Sequence, residues 1–100
     1  MNVELLYFDG CPSWRTAADR LASLQAELGF ELKHRLVTTS AEAELLGFTG
    51  SPMIKVDGVD PFATSRERVG FACRLYATPE GPAGSPTTEQ LRERVRPSGR

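Results

Sequence analysis

Apolar residues recur along this chain in two different periods. From Val3 to Phe8 the run VELLYF is apolar on both alternating faces except at Glu4, the pattern of a strand covered on two sides. It stops at Asp9-Gly10. Trp14, Ala17, Leu21, Leu24 and Leu28 then fall on one stripe at helical spacing, which predicts a helix in CPSWRTAADRLASLQAELG with Pro12 in the first turn and Gly29 as the stop. FELKHRLV alternates, with Phe30, Leu32, His34 and Leu36 on one face and Glu31, Lys33 and Arg35 on the other, as a half-covered edge strand does.

Thr39 and Glu42 have the spacing of a capping box for a short helix with Ala43, Leu45 and Leu46 on its apolar side and Gly47 at its end. After the loop Phe48 to Ser51, Pro52 opens MIKVDG, a strand closed by the turn pair Asp57-Gly58. Val59 to Val69 is too long for a tight hairpin. GFACRLY then reads as a strand with Phe71, Cys73 and Leu75 on one face, where Cys73 is expected to be buried as a small hydrophobe. The Pro- and Gly-rich ATPEGPAGSP reads as a loop, and Thr87 or Thr88 caps a last helix, TTEQLRERV. Leu91 and Val95 form its apolar side, and Arg92, Arg94 and Arg96 its solvated one.

The order is strand, helix, strand, helix, strand, strand, helix, without repeat or linker. One hundred residues fit one domain, expected over 1–96 with 97–100 as a frayed tail. Charge adds an exclusion: twelve Lys plus Arg against thirteen Asp plus Glu give −1, without the basic excess that nucleic acid attracts. No apolar run approaches a membrane span. One histidine and two distant cysteines do not supply the four ligands of a structural zinc, so no metal site is expected. Two cysteines are also too few for a disulfide scaffold, and the opening MNVELLYFDG is acidic where a secretory leader is basic. A reducing, cytoplasmic location is the expectation.

The strand ending in FDGCP, a cysteine at the mouth of a helix, and the later GSP opening the third strand resemble the thioredoxin and glutaredoxin superfamily. The two anchors lie about forty residues apart, and the resemblance covers nearly the whole chain. It implies an α/β thioredoxin-like fold, with a four-stranded mixed sheet in the order 2-1-3-4 flanked by about three helices. It further implies a cis bond before Pro52, beside Cys11, leaving the Ser51 N–H and C=O free to pair with an extended thiol substrate as an added strand.

Independently of the family, a thiol at a helix N-terminus meets unsatisfied N–H groups and the positive end of the macrodipole, which favours the thiolate. Asp9, two residues away, opposes this. Cys11 is therefore the expected nucleophile. The motif departs from CxxC: Trp14 stands in the second position of CPSW, so a local resolving thiol is absent and monothiol chemistry is expected. Glutathione is then a candidate co-substrate, and a thiol-containing small molecule or a protein disulfide the partner. Cys73 is the doubtful alternative resolving thiol, approaching Cys11 if the fourth strand runs back along the third. Ser51, Pro52 and Trp14 are the substrate-binding candidates, Trp14 as core packing or as a flat wall beside the sulfur. His34 reads as packing or surface.

Two rival readings accompany this one. The chain is also similar to small bacterial thioredoxin-like proteins associated with alkylmercury-lyase-type domains, whose chemistry uses two cysteines and an acid. Cys11, Cys73 and Asp9 are the only candidates here for such soft-metal or organomercurial binding. A redox-inactive binding module that keeps the fold is the third reading.

Overall fold

In a computed structural model that describes residues 1–64 and 68–95, the chain forms three helices, a mixed three-stranded sheet and a separate two-stranded sheet. β1 (Asn2–Tyr7) lies at the centre, with β2 (Glu31–Leu36) parallel on one side and β3 (Met53–Val56) antiparallel on the other. The registers place Leu5 opposite His34 in β2 and Ile54 in β3. The order β2-β1-β3 matches three of the four expected strands, and β2 is the expected edge with His34 exposed.

Because successive side chains of a strand point to opposite faces, β1 feeds two cores. Val3 and Leu5 pack with Ala17, Leu21 and Leu24 of α1 (Ser13–Leu28) and with Leu91 and Val95 of α3 (Thr88–Val95). Leu6 points the other way, into a cluster with Val37, Phe48, Met53 and Ala43 of α2 (Ser40–Leu46). Leu5, Leu6 and Leu21 are wholly buried, and truncating any one to Ala is expected to cost about 2–5 kcal/mol.

Local signals set the helix ends. α1 begins one residue later than its proline suggests, since Pro12 is its N-cap, and it closes where Gly29 takes φ 79° and donates its N–H to the Gln25 carbonyl at 2.8 Å. Thr39 caps α2 by accepting from the Glu42 N–H at 3.1 Å, and the Glu42 carboxylate accepts from the Thr38 N–H at 2.9 Å. Thr87 and Gln90 cap α3 reciprocally, with side-chain-to-backbone bonds of 3.1 and 2.9 Å.

Three expectations are corrected. GFACRLY does not extend the sheet: it makes one isolated bridge, Ser51 to Cys73, and only Tyr76–Thr78 is strand, so no fourth strand flanks β3 among the described residues. That short strand, β4, pairs with β5 (Gly81–Ala83) as a hairpin inside the segment expected to be loop. Pro82 is accommodated because a two-stranded ladder has no central strand to lose a hydrogen bond. Leu45, expected on the apolar side of α2, is 85% exposed; Leu46 takes that side, packing against the second core. The expected tail 97–100 and Arg96 lie outside the described residues.

Candidate functional site

Asp9 and Gly10 form the turn after β1 and deliver Cys11 to the start of α1, whose first turn carries no acidic residue. Cys11 is 1% exposed. It is bonded to Cys73, 62 positions along the chain, with the two Cα atoms 5.7 Å apart. That separation is within the ordinary range for a disulfide. The sulfur expected to be a distant and doubtful partner is therefore the direct partner of the helix-mouth cysteine.

Ser51 and Pro52 complete the set. The Ser51-Pro52 bond is cis, as the resemblance implied, and Ser51 is 1% exposed. Its N–H donates to the Ala72 carbonyl at 2.8 Å and its C=O accepts from the Arg74 N–H at 3.0 Å. The two backbone groups expected to be free for a substrate strand are thus taken by the protein's own segment on either side of Cys73. The Ser51 hydroxyl accepts from the Phe8 N–H at 3.4 Å, tying this loop to the end of β1. Tyr76 donates its hydroxyl to the Pro52 carbonyl.

The expected burial of Cys73 is reversed. Phe71, Cys73 and Leu75 are exposed, while Arg74 and Tyr76 are buried. Arg74 decides the parity. Its guanidinium pairs with Asp60 at 2.6 Å, donates to the Phe62 carbonyl at 2.7 Å, and lies 4.7 Å over the Tyr76 ring, with both charged side chains more than nine-tenths buried. A buried charge is tolerated when it is paired and hydrogen-bonded in this way. Turning Arg74 inward places its neighbours Cys73 and Leu75 outward.

Gly50 makes room for the crossing. At φ 134°, a Cβ on it would stand 3.0 Å from the Ala72 carbonyl oxygen and 3.1 Å from the Arg74 Cβ, so only glycine allows the Cys73 segment this close. Phe71 packs edge-on against Phe8 at 5.4 Å and also meets Phe48. The segment is therefore held by an ion pair, backbone bonds and an aromatic cluster in addition to the disulfide.

Trp14 takes the core-packing role of the two expected for it. Its ring stacks on Tyr7 at 4.2 Å and packs against the first core, with Arg15 over its outer face. Asp60, Arg74, Tyr76 and Gly50 are site residues the sequence reading passed over. The one local signal was the alternation of Arg74 and Tyr76 against Phe71, Cys73 and Leu75, and taken alone it favours the other face as the buried one.

Among the described residues no cluster of three His, Cys, Asp or Glu side chains could hold a metal ion, and no helix is long and apolar enough to cross a membrane. Chemically, the arrangement presents a disulfide with one enclosed and one outward cysteine, beside a backbone bridge of the kind an extended peptide makes. Comparison with known family models, curated proteins and solved structures returned no match.

Proposed function

We propose that this protein carries out thiol–disulfide exchange through the Cys11–Cys73 couple, on a thioredoxin-like scaffold. The observation that carries the reading is the bond between a helix-mouth cysteine and a cysteine 62 positions away, beside the cis Ser51-Pro52 bond. Cys73 supplies the second sulfur that CPSW lacks, so an intramolecular cycle replaces the monothiol route, and glutathione enters as a reductant of the couple. In a reducing compartment, disulfides of this kind are mostly transient catalytic or sensing bonds. The α1 N-terminus favours the Cys11 thiolate once the bond opens.

The test is a redox titration of the intact protein against glutathione, followed by alkylation of the reduced form across pH. The couple should open and re-form reversibly, and Cys11 should titrate below the ~8.5 of an ordinary thiol. A bond that stays closed in excess reduced glutathione, together with Cys11 at or above the ordinary value once reduced by a stronger agent, refutes the proposal. That outcome favours the binding module without redox chemistry.

A second reading rests on the same pair. Once reduced, two adjacent thiolates suit a two-coordinate soft ion such as mercury(II). Mercury titration of the wild type and of Cys73→Ser separates a two-sulfur site from a lone thiol, and equal affinity and stoichiometry in both refute the pairing.

A further inference from the structure

We infer that Cys73 is the entry sulfur of the couple and Cys11 the resolving one, the reverse of the roles the helix-mouth position suggests. This rests on the exchange reading above. Displacement at a disulfide is collinear: the attacking thiolate approaches the sulfur from the side opposite the one that leaves. Attack on Cys11 would have to come from the protein side of a residue that is 1% exposed. Attack on Cys73 comes from the solvent side, where Cys73 and its neighbours Ala72 and Leu75 are exposed.

The leaving group points the same way. Exchange is faster when the departing thiolate is the more stable one. Attack on Cys73 releases Cys11, at the amino end of a sixteen-residue helix whose first turn holds no acid. Attack on Cys11 would instead release Cys73, which stands on an extended segment with its sulfur one bond further from the helix terminus.

For an external thiolate such as glutathione, RS⁻ attacks the Cys73 sulfur, the RS–S(Cys73) bond forms, the Cys11–Cys73 bond breaks, and the electron pair leaves on the Cys11 sulfur. A second RS⁻ then attacks the glutathione sulfur, giving RSSR and the Cys73 thiolate. Two thiols are oxidised to one disulfide as the couple is reduced, and the protons left by the two thiols balance those the protein thiolates take up. By microscopic reversibility, the reduced protein meets a substrate disulfide through Cys73, and Cys11 closes the cycle. Arg74 holds Cys73 within reach of Cys11 during both half-reactions, through the buried Asp60 pair and the N–H bond to Ser51.

The experiment is a rapid-quench pulse of reduced glutathione on the oxidised wild-type protein. Acid quench, alkylation of free thiols under denaturing conditions and peptide mapping then locate the mixed disulfide. The adduct should sit on Cys73 at least tenfold over Cys11, with the alkyl label on Cys11. An adduct mainly on Cys11, or shared equally, overturns the inference and leaves the exchange reading standing. No adduct and no opening of the bond refutes the exchange reading itself. Glutathione disulfide supplies the reverse measurement: Cys11→Ser should be glutathionylated at least tenfold faster than Cys73→Ser, and the opposite order overturns the assignment.

Discussion

Ser51 grips the backbone on both sides of Cys73, its N–H on the Ala72 carbonyl and its C=O on the Arg74 N–H. A cysteine-bearing extended segment is thus already docked where an added strand was expected to bind, and Gly50 is what lets it lie there. Gly50→Ala is expected to cost about 1–3 kcal/mol, because the residue would have to keep a strained φ of 134° with its Cβ 3.0 Å from the Ala72 carbonyl. Thermal denaturation checks the loss. A free-thiol assay should show slower closure of the Cys11–Cys73 bond after reduction, and unchanged closure would mean the approach at Gly50 does not matter.

The Arg74–Asp60 pair makes a sharper stability prediction. Removing one partner of a buried ion pair leaves an uncompensated charge, so Asp60→Ala should lose about 3–5 kcal/mol. Replacing both, as Asp60→Leu with Arg74→Met, should recover most of that, since the desolvation cost goes with the charges. Denaturant unfolding of the single and double variants distinguishes the cases. A double variant as unstable as the single would show that Arg74's bond to the Phe62 carbonyl, not its charge pairing, holds the segment.

How much of this was legible in the sequence divides along local and distant lines. The α1 stripe, the Gly29 and Gly47 stops and the Thr39 cap were readable because each is decided within a few positions. The inward turn of Arg74 was not, because its reason, Asp60, lies fourteen positions away in a connection without a periodic pattern. Seen alone, Phe71 and Leu75 outvote Arg74 for the buried face. The paired charge, the Tyr76 hydroxyl on the Pro52 carbonyl and the edge-on contact of Tyr76 with Phe62 reverse the vote. The Cys11–Cys73 bond was legible as a conceivable link between two sulfurs on converging segments, and the expected burial of Cys73 in a strand weighed against it.

Acid should weaken the fold in two separable ways. The Arg92 hydrogen bond and charge hold the Glu27 carboxyl below the ordinary carboxylate range, linking α1 to α3, and the Thr38 N–H does the same for Glu42. A lowered native pKa means the unfolded chain binds the proton more readily. Each contribution is then present above the unfolded value of ~4.3 and is lost as pH falls through the lowered native one. Salt should diminish the Glu27 part, a solvent-exposed ion pair, more than the Glu42 part, which rests first on a backbone N–H. Carboxyl titrations followed by NMR at low and high salt check this, and equal salt sensitivity of the two groups contradicts it.

Cys73→Ser separates the covalent tie from the contacts around it. The bond closes a loop spanning 62 positions, and the chain-entropy account puts its contribution at roughly 4 kcal/mol, acting through the unfolded state. The Arg74–Asp60 pair, the Ser51 bridge and the Phe71–Phe8 contact do not depend on the sulfurs. The variant should therefore unfold at lower denaturant while its Ser51 and Arg74 amides keep hydrogen-exchange protection scaled only to the reduced global stability. If those two amides exchange far faster than the β1 amides, the disulfide is what docks the segment, and Arg74 alone does not keep Cys73 in reach of Cys11 between half-reactions.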